Sequence, residues 1–457
     1  MRIDARRSWV CGAVALSLVA TACSSDGDES DPSAPPSGTE APEVTEAPAV
    51  TEAPDSTETP ATSDGPDTSD ATSEDDFTAR VAEMGPPTGE PMKIGLVNTE
   101  GVPGLDFPDI RENIEATFAY LNEHGGMGGR PIELTSCAAK GSPETSQACA
   151  QEIVGADPEL VLLGLDLFPG YPTFDATQLP VVGLLPILPG DYTANALFTT
   201  GGNATLAAGM AGVAAEQFNA TSIGIISADA PGSNGTETAL KASLDKVGIP
   251  YVSIKGGVEE TDAGYQGLMQ QANSGDPDLL ITLYDEPGCI GTMRGRVALG
   301  IETPVLASSA CAAKEVIDQV GDDALGWTFL GAQTNEETPA NDLIREIMAP
   351  VLGVPAEEVD PASLGLGGLG IIQAMTLAKF ADAVATGGQE VTGRSLYDYF
   401  ATTRESIWPS GLPVECGRAA TYPSICTFEF PVIEYTEDGT LQPAEGFEVV
   451  SAFEYLP

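Results

Sequence analysis

The chain has 457 residues, of which 68 are acidic, 19 basic and one is histidine, for a formal charge of −49. That sign argues against nucleic acid as a partner, because such binding depends on Lys and Arg neutralising phosphates. A single histidine, His124, also removes the commonest general base from consideration.

Residues 1–7 are short and basic, and residues 8–21 form an apolar run of the length of a secretory h-region, too short to span a bilayer as a helix. Val19-Ala20-Thr21-Ala22-Cys23 resembles a bacterial lipobox. This predicts a signal peptide over 1–22, lipidation of Cys23, and anchoring to the outer face of the cell membrane. From residue 24 to 77 there is no Lys or Arg, and residues 39–62 repeat with period six as TEAPEV, TEAPAV, TEAPDS and TETPAT. Such a segment cannot bury enough apolar area to offset chain entropy. Residues 23–78 are therefore expected to be a disordered, acidic, Pro/Thr/Glu-rich tether, about 40 Å end to end as a coil.

Beyond the leader and Cys23, six cysteines remain: Cys137, Cys149, Cys289, Cys311, Cys416 and Cys426. An even number in an exported chain points to disulfides, with 15 possible connectivities. Their three close sequential pairs make local bridging, 137–149, 289–311 and 416–426, the economical expectation. Zinc is disfavoured by the lack of any CxxC pair and by the single histidine.

From about residue 90 the pattern alternates strand and helix. Residues 93–97 read as a buried strand. Ile110, Ile114, Phe118 and Leu121 then share one helical face, and 132–135 is the next strand. Further strands are expected at 160–163, 181–185, 222–226, 251–254, 279–283, 305–307 and 327–330, with helices at 204–218, 236–247, 265–273 and 290–299. Alternation on this scale predicts an α/β fold of parallel sheets covered by helices. Ligands of such sheets bind beyond the carboxyl ends of the strands. Here those loops are 98–107, 164–171, 186–191, 228–235, 284–288 and 308–311, rich in Gly, Pro and Asp and poor in Lys, Arg and His.

No catalytic motif finds support. Gly365, Gly367 and Gly370 match GxGxxG ahead of a helix beginning near Ile371, but the preceding Asp360-Pro361-Ala362-Ser363 looks like a helix start rather than the strand a dinucleotide site needs. The glycines are read as close helix packing. Ser243 and Lys246 match SxxK within an amphipathic helix with no accompanying motif. Asp285 and Glu286 are adjacent carboxylates, read as solvated or ligand-facing. The chain is expected not to be an enzyme and to need no cofactor or metal.

KIGLVNTEG at 93–101, NEHGGMGGRPIEL at 122–134 and GSPETSQACAQEIV at 141–154 resemble the extracytoplasmic solute-binding proteins of ABC importers, in particular the leucine/isoleucine/valine-binding family. The resemblance implies a two-lobed type I periplasmic-binding fold with three interlobe crossovers. It places lobe one at 91–202 and 332–394, and lobe two at 203–331 and 424–457. It also implies a monomer that closes on a small molecule, an amino acid or related compound, and delivers it to permease subunits. A ligand sensor coupled to a receptor is the alternative.

Amino-acid binders of this family hold the carboxylate with Ser or Thr in the loops after the third and fourth lobe-one strands. Here those loops read GLDLFPGY (164–171) and LLPILPGD (184–191), without Ser or Thr, and Asp166 would repel a carboxylate. A small, partly apolar, neutral or cationic solute is expected instead. The candidate contacts are Glu100, Asp166, Phe168 and Leu185 from lobe one, and Asp229, Tyr284 and Asp285 from lobe two. Asp166 and Tyr284 are expected to face each other across the cleft, and a 289–311 bridge to clamp two cleft loops together.

Overall fold

The computed structural model describes residues 74–102, 106–331 and 333–457. The signal peptide, the lipobox cysteine and the six-residue repeats lie outside the described residues. Helix α1 (Glu74–Glu83) is already folded where the tether was expected to continue to 78. The reason is local: Phe77 and Val81, one helical turn apart, are both 2 % exposed and join the core, and Trp408 Nε1 donates to Thr78 Oγ1 at 2.9 Å.

Lobe one starts with β1 (Met92–Thr99), α2 (Pro108–Glu123), β2 (Ile132–Ala139), α3 (Pro143–Gly155), β3 (Leu160–Leu163), α4 (Tyr171–Ala176), β4 (Val181–Gly183) and β5 (Leu197–Phe198). The strands form a sheet of order β2-β1-β3-β4-β5, parallel throughout. Its inner strands β3 and β4 are short buried runs of Leu and Val because helices cover both faces. Ile110, Ile114, Phe118 and Leu121 all point into the core, as their spacing predicts.

The chain then crosses into lobe two through α5 (Gly202–Glu216), β6 (Ile223–Ala228), α6 (Pro231–Val247), β7 (Tyr251–Gly256), α7 (Asp262–Ala272), β8 (Leu279–Leu283), α8 (Glu286–Leu299), β9 (Val305–Ser308), α9 (Lys314–Val320) and β10 (Trp327–Leu330). The parallel part runs β7-β6-β8-β9-β10, the same winding as lobe one.

A second crossover returns the chain to lobe one as α10 (Pro339–Leu352), α11 (Gly365–Thr386), α12 (Gly393–Thr402) and a small hairpin of β11 (Ser406–Ile407) and β12 (Leu412–Pro413). This return extends well past residue 394, where it was expected to end, because Ile407, Trp408, Val414 and Cys426 are buried in the lobe-one core. The third crossover leads to β13 (Glu429–Tyr435), β14 (Leu441–Pro443) and β15 (Val449–Ser451). These add antiparallel strands beside β10 and complete lobe two.

Helix α11 is long and apolar enough to cross a membrane by composition, but most of that stretch is buried inside the protein. It begins at Gly365, six residues before the expected start, so the glycine motif lies within the helix and no strand precedes it. A Cβ at Gly370 would lie 2.7 Å from the Ile110 carbonyl oxygen, and one at Gly367 would lie 2.6 Å from Asp109 Oδ2. The glycines let α11 settle against α2, which is the packing role expected of them.

Candidate functional site

In both lobes the winding direction reverses between the first and third strands, β1 and β3 in lobe one, β6 and β8 in lobe two. Loops leaving the carboxyl ends of such a pair diverge and leave a crevice. In lobe one, Asn98 holds that crevice open. Its Nδ2 donates to the Phe107 carbonyl at 2.7 Å, and its Oδ1 accepts from Leu165 N at 2.9 Å. A single side chain therefore fixes both loops.

The two crevices and the crossovers enclose a cleft of about 650 Å³, within the usual range for small-molecule sites, about 300–1,000 Å³. The lobe-one wall is apolar: Phe107, Leu165, Leu167, Leu185 and Ile187 from the loops, with Leu366, Leu369 and Ile372 from α11. Lobe two contributes Asp229 after β6, Tyr284 and Asp285 after β8, and Ser308 and Ser309 after β9. The β6/β8 register pairs Ser227 with Leu283. Asp229 and Asp285 thus stand two residues beyond paired positions on neighbouring strands.

Charge on the lining is of one sign. Asp229, Asp285, Glu336, Glu429 and Glu448 line the cleft, and among the described residues no Lys, Arg or His does. Glu429 is matched by Arg418 at 3.0 Å. Asp285 projects from the N-terminal cap of α8 without a capping hydrogen bond. It is accessible within the cleft but crowded by its walls, and desolvation raises its carboxyl above the ordinary range. Two like charges about 5 Å apart repel by about 3 kcal/mol at an effective dielectric of about 20, so a carboxylate ligand would be disfavoured here.

Four of the seven expected contacts line the cleft: Leu185, Asp229, Tyr284 and Asp285. Three do not. Glu100 is held by Arg111 in a two-pronged ion pair, Nε at 2.8 Å and Nη2 at 3.1 Å. Asp166 sits behind the wall, 3 % exposed, accepting from Ser146 Oγ at 2.6 Å and from Phe168 N at 3.1 Å. Phe168 is 37 % exposed, outside the cleft lining. Asp166 and Tyr284 therefore do not face each other. Alternation along the 164–171 loop explains the error, since Leu165 and Leu167 take the cleft side.

Tyr284 itself is only 3 % exposed, stacks edge-on against Tyr265, and donates its hydroxyl to the Gly257 carbonyl at 3.1 Å. It presents a ring rather than a hydroxyl. Behind it the bond Cys289–Cys311 joins the first turn of α8 to the turn after β9, tying two cleft loops as expected. Cys137–Cys149 and Cys416–Cys426 complete the three local pairs.

Sequence reasoning missed the second crossover, residues 331–338. Gln333, Thr334, Glu336 and Thr338 all line the cleft. Asn341 braces this segment by donating to the Thr334 and Glu336 carbonyls at 3.0 and 2.8 Å. Both polar atoms of the Gln333 amide are buried without a hydrogen-bond partner. The available signal was a polar run, GAQTNEET, between an apolar strand and the capped start of α10.

The family model described as periplasmic binding protein matches residues 91–404. No relative with a curated description matches the sequence. Among solved structures, the fold is similar to an ABC transporter substrate-binding protein from Sphaerobacter thermophilus, with TM-score 0.64 and 18 % identity, covering 80 % of this chain and 100 % of that one. It is also similar to an ABC transporter solute-binding protein from R. palustris in complex with 4-hydroxybenzoate, with TM-score 0.61 and 18 % identity over 79 % of this chain and 97 % of that one. A branched-chain amino acid ABC transporter structure from Thermus thermophilus with bound valine gives TM-score 0.64 at 11 % identity, covering 80 % and 98 %. A family match spanning more than half of the chain, on a two-lobed fold with a cleft between facing crevices, makes this protein a member of the periplasmic binding protein family.

Proposed function

We propose that the protein is an extracytoplasmic, lipid-anchored, monomeric receptor that captures a small solute between its lobes and delivers it to the permease of an ABC transporter. The observation that carries this reading is the cleft, lined from both lobes and from the crossover that joins them. A solute touching both walls stabilises the closed arrangement by whatever contacts it makes only there. A permease that reads the closed form would then distinguish loaded from empty receptor.

Capture rather than catalysis is the reading supported by membership of the periplasmic binding protein family. The similar structures carry valine or 4-hydroxybenzoate, each with a carboxylate, which the acidic lining here disfavours.

Mass spectrometry of what co-purifies with the protein, followed by X-ray scattering with and without that solute, tests the reading. The radius of gyration should fall on binding and the solute should be recovered unchanged. No bound solute and no compaction would overturn capture. Cys23→Ala should in the same preparation move the protein from membranes to the soluble extracytoplasmic fraction, and retention on membranes would remove the anchor.

A further inference from the structure

We infer, resting on the solute-capture reading, that the ligand is an organic cation with an apolar body and no free carboxylate, its charge held between Asp229 and Asp285 and its body against the lobe-one wall.

Four carboxylates on the cleft lining, Asp229, Asp285, Glu336 and Glu448, have no cationic partner among the described residues. Elsewhere many of the sparse cations are committed within the protein, to carboxylates (Arg111 to Glu100, Arg130 to Glu159, Lys241 and Lys255 to Glu237) or, as Arg296 and Lys246 are, to main-chain carbonyls. A chain with few Lys and Arg, whose cleft lining carries charge of one sign among the described residues, places the missing positive charge on the solute.

The unmatched carboxylates come from lobe two and the crossover and none from lobe one, which orients the guest. Lobe one offers Leu165, Leu167, Leu185, Ile187 and Ile372; lobe two, apolar itself at Leu330 and Phe430, adds the two aspartates and the ring of Tyr284 at its strand ends. Asp285 is the anchor: it stands open to the cleft at the N-terminal cap of α8, and neither a hydrogen bond nor an ion pair among the described residues engages its carboxylate. A cation seated beside it would favour the charged form and supply the partner that the fold withholds. The Gln333 amide, buried and unpartnered at the hinge segment, is a second polar group left for something the protein does not contain. A divalent metal is not that guest, since the carboxylates form no cluster that could hold one among the described residues.

Three compounds of one shape separate the possibilities: phenethylamine, phenylalanine and 3-phenylpropanoate, titrated calorimetrically into the mature protein, with 2-phenylethanol as the uncharged control. The amine should bind at least tenfold tighter than either carboxylate. Asp285→Asn, and independently Asp229→Asn, should weaken amine binding about tenfold while leaving 2-phenylethanol unchanged. Binding of 3-phenylpropanoate equal to or tighter than the amine would overturn the charge assignment and leave solute capture standing. Amine affinity untouched by both substitutions would also overturn it. No binding of any of the four, together with no co-purified solute and no compaction in scattering, would overturn capture as well.

Discussion

Carboxylates in this protein behave according to what surrounds them, and Glu237 shows how strongly partners can outweigh burial. It lies on α6 between Ser227 Oγ at 2.7 Å, Ser253 Oγ at 2.5 Å, Lys241 at 2.5 Å and Lys255 at 2.7 Å. Burial alone would raise its carboxyl, but the two ammonium groups and two hydroxyls outweigh that and hold it down to about 2. An acid depressed in the folded state contributes stability that is present above its unfolded value and lost as pH falls through the folded one. The window is therefore from about 4.5 down to about 2. Because the lysines are one-third or more exposed, solvent screening trims the benefit to about 2 kcal/mol. Glu237→Gln should lower stability at pH 7 by that amount and flatten the acid limb of the stability curve. Chemical denaturation at pH 7, 4 and 3 checks it; a parallel loss at all three would mean the charge is not what matters. Asp166 runs the other way. Burial raises its carboxyl, hydrogen bonds from Ser146 and Phe168 N oppose this, and nearby Asp191 adds to the rise.

The junction of α2 with α11 sets two opposing effects against each other. Gly→Ala within a helix ordinarily stabilises by roughly 0.5–1 kcal/mol. At Gly370 the new methyl would meet a main-chain carbonyl, which cannot rotate away. The steric term should win, and Gly370→Ala should destabilise by about 1–3 kcal/mol. Gly267→Ala in α7, where nothing lies within 4 Å of the added atom, should stabilise instead, and urea midpoints of the two variants decide the comparison.

Most core elements were readable because their signals are local. Strands at 160–163, 279–283 and 327–330 are short Val/Ile/Leu-rich or aromatic runs and emerge with those limits. The start of α11 was not readable, because a glycine-rich segment has low helix propensity and tertiary contact with α2 overrides it. The site was legible only in outline. Strand-end loops bring Asp229, Tyr284 and Asp285 to the cleft lining, whereas which side chains of one loop turn inward depends on backbone geometry that spacing does not encode, so Asp166 and Phe168 fall outside it. The crossover residues were missed because their role exists only once two distant lobes enclose them.

The lobes are joined by three passages of chain that are laced to one another. Thr427 Oγ1 donates to the Thr199 carbonyl at 3.0 Å, linking the third crossover to the first, and Gly331 N donates to the Pro431 carbonyl at 2.9 Å. Bending is thereby concentrated near these passages, with each lobe moving as a body. The disulfides respect that division: 137–149 and 416–426 lie in lobe one, 289–311 in lobe two, and none of the three bridges the cleft.

Their connectivity also bears on how the molecule is made. Each cysteine of the folded part is joined to the next one along the chain, at separations of 12, 22 and 10 residues. A polypeptide threaded outward amino end first, and oxidised as it emerges, pairs its thiols in order of arrival, and here that order is the native one. Of the 15 ways to pair six thiols, biogenesis would reach the correct set with no thiol exchange to undo mistakes. Exported from a host that lacks a disulfide isomerase, the protein should still carry these three bridges as the dominant product in peptide mapping. Recovery that depends on the isomerase would show that chain order does not select the pairs.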